Sequence, residues 1–180
     1  MTSDEREVTS GSLTGARMRA EREARDDATR AAWPAAWAWV FPATYALHIL
    51  EEWWGGFNVW AARLTGVEAT PGEFLLWNGV ALLSMSASIV LTLRFKSFGW
   101  LLLAYGTAFL LNALSHLIAS LYTTSYSPGL VTGLLFWLPL GALVLLRFRK
   151  RLTRRARRAG LLVGLLIHCV VLLVTLHGGR

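Results

Sequence analysis

Apolar residues in this chain come in long uninterrupted blocks separated by short polar breaks. Five blocks follow one another, at about residues 31–54, 74–93, 98–121, 129–146 and 160–176. By these limits they hold 24, 20, 24, 18 and 17 residues. A helix needs roughly 17 to 25 such residues to cross the hydrocarbon core of a bilayer, so each block predicts one spanning helix. The expected fold is all-α, a polytopic bundle of five transmembrane helices. Pro42 lies inside the first block and is expected to kink it, because proline removes a backbone donor and crowds the preceding turn.

Before the first block, residues 1–32 are polar, with seven acids and six bases and no apolar core ahead of Trp33. They are expected to be a disordered cytoplasmic leader, helical at most over 16–32, and not a secretory signal. Residues 33–146 then form a four-helix core, 147–159 a basic cytoplasmic loop, and 160–180 the fifth helix with a short tail.

Composition sharpens this picture. Of 180 residues, 54% are hydrophobic and only 16% charged, against roughly 25% charged in an average soluble domain. The pI near 10.5 would suit a nucleic-acid binder, but eight of the 18 basic residues crowd into 147–158, between two apolar blocks. That is the signature of a cytoplasmic loop, so no nucleic-acid partner is expected. Sixteen basic residues fall on the side of the leader, the 94–96 turn and this loop, and Arg63 and Arg180 on the other. The N-terminus is therefore expected in the cytoplasm and the C-terminus outside, in a multi-pass protein of the cytoplasmic membrane. Trp53, Trp54 and Trp60 would mark the outer interface, Trp33 and Trp100 the inner one. The lone Cys169 rules out a disulfide framework and a multi-cysteine metal cluster. No internal repeat points to an inverted-repeat transporter.

Past the leader only four acids remain, Glu51, Glu52, Glu68 and Glu73. Glu51 and Glu52 close the first block in the run His48-Ile-Leu-Glu51-Glu52, and offsets of three and four share a helix face. Thr44 and Tyr45 extend this polar arc inward. The third block carries Asn112, Ser115 and His116 on one face, the second carries Asn78, and the fourth opens with Tyr126-Ser-Pro128-Gly129 and Thr132. By a rise of 1.5 Å per residue these groups lie at a common depth near the outer surface. Ionisable side chains inside a bilayer are expensive unless they face one another, so His48, Glu51, Glu52, Asn112 and His116 are expected to form a catalytic cluster. Tyr45, Asn78, Ser115, Tyr126, Thr132, Trp53 and Trp77 are its expected substrate-binding surroundings. His168 lacks polar neighbours on its own helix and is expected to be structural.

These motifs resemble the HXXEE family of small prokaryotic membrane proteins. His48, Glu51 and Glu52 match the motif that names the family, Asn112 and His116 its Asn-x-x-x-His element, and Tyr126, Pro128, Gly129 and Thr132 its Tyr-x-Pro-Gly-x-x-Thr stretch. The resemblance covers about residues 33–146. It implies an enzymatic site at these polar positions and names no reaction.

Four functions compete at this stage. Two adjacent carboxyls in a low dielectric do not both ionise readily, so one is a proton donor and the other an acceptor, with His48 and His116 as relays. That equipment suits isomerisation, cyclisation or hydration of a lipid or isoprenoid without a cofactor, with Trp53 and Trp77 near enough to steady a cation. A divalent metal held by His48, Glu52 and His116, zinc or non-haem iron, is the alternative. A small-solute transporter and a non-catalytic membrane subunit are the remaining readings. The polar residues gather in one leaflet, whereas a through-pathway needs them in both.

Overall fold

The computed structural model describes Met18, Glu21 and residues 35–177. The rest of the expected leader, Trp33, Pro34 and Arg180 lie outside the described residues. The chain divides into two units, residues 1–37 and 38–180; the helices numbered below belong to the second, and the short turn Ala35–Ala38 spans the boundary. Among the described residues the fold is all-α, without a strand.

The first apolar block does not form one helix. A helical turn, Ala35–Ala38, is followed by a break at Trp39, and α1 runs from Val40 to Trp54. Pro42 has no N–H to give the carbonyl of Ala38, so the helix restarts with Pro42 in its first turn, where a missing donor is tolerated. At 15 residues α1 is about 22 Å long, short of the roughly 30 Å hydrocarbon core. Among the described residues four helices, rather than the five expected, are each long and apolar enough to cross a membrane.

Gly55 and Gly56 end α1, and Gly56 takes a positive φ of 71° that turns the chain into α2, Phe57–Thr65. No helix was expected there, because the segment is too short and too mixed to register as an apolar block. Next, α3 (Pro71–Arg94) opens with a capping box: Thr70 Oγ1 accepts from Glu73 N–H at 3.2 Å, and Glu73 Oε2 accepts from Thr70 N–H at 2.8 Å. This places its start three residues ahead of the apolar block. A short turn at Lys96–Phe98 leads into α4, Trp100–Thr123.

Leu130–Thr132, a π-helical stretch Gly133–Trp137 and Leu138–Leu146 follow without interruption and together are α5. Pro139 explains the π turn, since it leaves the carbonyl four residues before it without its usual donor. Finally α6, Arg154–His177, begins inside the basic loop. Thr153 Oγ1 accepts from Ala156 N–H at 3.2 Å, an N-cap that puts four of the loop's arginines on the helix.

The centre of the bundle is α4. Over its most apolar window 56% of residues are buried, against 17% in α3 and in α6. Those outer helices turn Leu76, Leu83 and Leu166 outward at 60–72% exposure, an arrangement suited to hydrocarbon rather than water. Small residues bring the backbones together. A side chain at Gly160 would meet Trp100 O at 2.8 Å, and one at Gly164 would meet Thr107 Cβ at 2.6 Å, so α6 lies directly on α4. Gly106 and Gly141 do the same between α4 and α5.

Candidate functional site

The polar residues of α1, α4, α5 and α6 meet at one end of this packing. His48 and Glu52 sit one turn apart on α1, and both are buried, at 1% and 7% exposure. His48 Nε2 lies 3.4 Å from Glu52 Oε1, and His116 Nε2 from α4 lies 3.5 Å from the same oxygen. The three donor atoms of His48, Glu52 and His116 are within 4.8 Å of one another. The two imidazoles stand edge to face with centroids 5.1 Å apart.

Each imidazole is fixed from behind by a hydroxyl. His48 Nδ1 is 2.7 Å from Thr132 Oγ1, and His116 Nδ1 is 3.0 Å from Ser127 Oγ. The Asn112 amide nitrogen stands 3.4 Å from His48 Nε2. Trp137 stacks on the His48 ring at 3.8 Å, tilted by 28°, and on Phe109 at 4.1 Å, tilted by 13°. The π turn carries this indole, and π turns recur at functional sites.

Glu51 faces elsewhere. Its carboxylate accepts from the backbone N–H groups of Gly129 (3.1 Å), Val131 (2.9 Å) and Thr132 (2.6 Å), and from the Tyr126 hydroxyl. These are the unpaired donors of the first turn of α5, so Glu51 caps that helix from another element, with the helix dipole in its favour. Burial, and then the Glu51 carboxylate beside it, push the Tyr126 hydroxyl up to about 12. Tyr126 thus remains a neutral donor across the physiological range.

The Tyr-Ser-Pro-Gly-Leu-Val-Thr stretch gains a physical meaning here. Tyr126 holds Glu51, Ser127 holds His116, and Thr132 holds His48. Pro128 fills the space left by Gly55, where an added Cβ would stand 2.7 Å from Pro128 Cβ. Gly129 has φ 100° and no room for a side chain: a Cβ there would lie 2.7 Å from Cε1 of both His48 and His116. Seven consecutive residues thus back the whole centre.

Beside it lies a cavity of about 690 Å³, reached by Glu52, His116, Asn112 and Ser127 and extending between α3 and α6. Its other walls are chiefly apolar and aromatic, with Phe57 and Trp60 of α2 closing one end. Of the expected surroundings, Tyr45, Asn78, Ser115 and Trp77 line it, and Tyr45 O–H donates to Asn78 Oδ1 at 2.8 Å. Tyr126 and Thr132 act through Glu51 and His48 instead. Trp53 packs on Phe74 at 5.9 Å and does not line the cavity. Thr44 O–H donates to Val40 O of its own helix.

His168, expected to be structural for want of polar company in its own span, has a polar contact from another helix. Ser115 Oγ on α4 is 3.1 Å from its Nε2, and the residue is buried at 7% exposure. Polar neighbours on the same helix are absent, but packing of α6 against α4 supplies one from another helix. Ser127 and Trp137 also escaped the sequence reading. Ser127 stood unremarked in the stretch that opens the fourth block, and Trp137 needed the π turn to bring its ring over His48.

The chain belongs to the family described as "Protein of unknown function with HXXEE motif", whose model matches residues 39–144. The match takes in the whole centre from His48 to Thr132 and stops short of α6. No curated protein and no solved structure matches the chain.

Proposed function

We propose that this protein is an intramembrane enzyme that carries out proton-transfer chemistry on a lipid or isoprenoid substrate, such as isomerisation, cyclisation or hydration. One observation carries the reading: a buried group of two imidazoles and a carboxylate reaches the wall of a largely apolar cavity of about 690 Å³. Substrate pockets fall between roughly 300 and 1,000 Å³, apolar with a few converging polar groups. Two candidate spans, α3 and α6, supply the walls, so an amphipathic molecule would enter from the bilayer itself. Glu52 and His116 are the groups that meet it, His48 stands behind Glu52, and the Tyr45–Asn78 pair offers a polar contact farther along the wall.

In this reading α1 belongs to a fifth crossing beside α3, α4, α5 and α6. The leader and the basic loop face the cytoplasm, because sixteen basic residues lie on that side and two on the other. The chemistry then takes place in the outer leaflet of the cytoplasmic membrane.

The test is mass spectrometry of total lipids from cells that lack the protein, express it, or express Glu52→Gln at equal membrane level. One or more lipid species should depend on the wild-type chain and not be restored by the variant. Identical lipid profiles in all three strains would refute the enzyme reading and leave a non-catalytic subunit.

A further inference from the structure

We infer that His48, Glu52 and His116 hold a divalent transition-metal ion, the two histidines through Nε2 and the glutamate through Oε1, with an open coordination position facing the cavity. The ion's role in chemistry rests on the enzyme reading above; its binding does not.

The tautomers point to it first. The Thr132 hydroxyl has the Gly129 carbonyl within 3.5 Å as an acceptor for its own proton, which leaves an oxygen lone pair toward His48 Nδ1. A neutral His48 then carries its hydrogen on Nδ1 and directs the Nε2 lone pair at Glu52. Ser127 Oγ stands 3.0 Å from His116 Nδ1, and accepting a hydrogen from it would leave the His116 Nε2 lone pair toward Glu52 as well. Second-partner hydrogen bonds of this kind are what fix the tautomer of metal-ligating histidines. The result is three lone-pair atoms, Nε2, Nε2 and Oε1, converging in a buried space, and such atoms repel one another unless a cation lies between them.

That cation is either a proton or a metal, and the distances suit a metal. Charge-assisted N–H···O bonds are about 2.7 to 2.9 Å long. Here the two nitrogens stand 3.4 and 3.5 Å from the oxygen. Ligands about 2.0 to 2.2 Å from a tetrahedral ion are separated by about 3.3 to 3.6 Å, and both edges fall in that range. The third edge, between the two Nε2 atoms, lies within 4.8 Å and would close on the ion as it binds.

The surroundings agree. Three protein ligands and one open position are the pattern of a catalytic site rather than a structural one. The open side is marked by the cavity, which reaches Glu52 and His116 but not His48. Asn112, 3.4 Å from His48 Nε2, is placed to orient whatever occupies that position. One carboxylate leaves a doubly charged ion with a net charge of +1, so the open position suits hydroxide or an anionic substrate group. A metal-bound water is a much stronger acid than bulk water, so it would supply the proton-transfer group of the same reaction. Two imidazoles and a carboxylate suit zinc and iron(II) alike, and measurement separates them.

The experiment is elemental analysis of the full chain, purified in detergent with a tag that contains no histidine. After chelation the protein is titrated with Zn2+, with Fe2+ under anaerobic conditions, and with Co2+ as a visible-absorption probe of four-coordinate geometry. The expected result is about one equivalent of a single metal per chain. Glu52→Gln and His116→Ala should lose it, while eluting as monodisperse protein. Thr132→Val and Ser127→Ala, which leave the ligands in place, should weaken Zn2+ binding by about 10- to 100-fold. Less than a tenth of an equivalent in wild-type protein, with no response to any of the three ions, would overturn the proposal. Equal metal content in wild type and in Glu52→Gln would overturn it too. The two readings fail separately: lipids that still depend on a metal-free protein would leave acid–base catalysis by the side chains alone, whereas bound metal with unchanged lipids would leave a metal site without this reaction.

Discussion

Replacing Glu51 by alanine removes the acceptor of three backbone N–H groups, those of Gly129, Val131 and Thr132, and of the Tyr126 hydroxyl. Val131 and Tyr126 are exposed and can turn to other donors and acceptors, but Gly129 is buried and Thr132 half-buried. A buried donor left unpaired costs about 1 to 3 kcal/mol, so the two enclosed groups together cost about 2 to 6 kcal/mol, with up to about 1 kcal/mol more from the lost charge at the helix N-terminus. At about 2 to 4 °C per kcal/mol for a chain of this size, the midpoint of thermal unfolding in detergent should fall by about 4 to 28 °C. Glu52→Gln strands no backbone donor, and its midpoint should stay within a few degrees of wild type while function is lost. The adjacent glutamates thus separate into one that holds α5 in place and one that serves the centre. Tryptophan fluorescence during a temperature ramp reads both variants. An unchanged midpoint in Glu51→Ala, or a larger fall in Glu52→Gln, would refute the division of roles.

Gly129→Ala should be among the most damaging single-carbon changes in the protein. Its φ of 100° adds about 1 to 3 kcal/mol of strain, and the new methyl would stand 2.7 Å from Cε1 of both His48 and His116. Gly79→Ala is the control, since nothing lies within 4 Å of a Cβ there; on α3 it should leave the unfolding midpoint equal to wild type or slightly higher. A Gly129→Ala protein as stable as Gly79→Ala would show that the backbone does not press on the two rings. Membrane sidedness is tested by reporter fusions after Arg158 and after Arg180, which should report opposite sides, cytoplasmic and external; the same side for both would mean that α6 does not cross.

How much of this could be read from the chain alone depends on which neighbours carry the information. Apolar length needs no partner, and the four qualifying helices were visible as blocks. The first block misled because its length was counted across Pro42, whose missing N–H splits it at Trp39. The site was legible where partners share a helix. The four-residue offset from His48 to Glu52 survives as a 3.4 Å approach, and the Asn112–His116 element lies on the same centre. It was illegible where the partner comes from another helix: His168 found Ser115 across the α4–α6 packing, and Glu51 found the start of α5. The stretch from Tyr126 to Thr132 sits between these cases. Its residues were visible as a motif at the opening of the fourth block, but their alternate duties come from the geometry of the turn they form. A left-handed Gly129 packed on two imidazoles brings Ser127 and Thr132 to the far sides of those rings, and so to the atoms that decide which nitrogens face Glu52. A turn that sets a hydroxyl against each imidazole constrains the centre from behind, which is why the weaker binding expected of Thr132→Val and Ser127→Ala tests the proposed metal site more sharply than removal of a histidine.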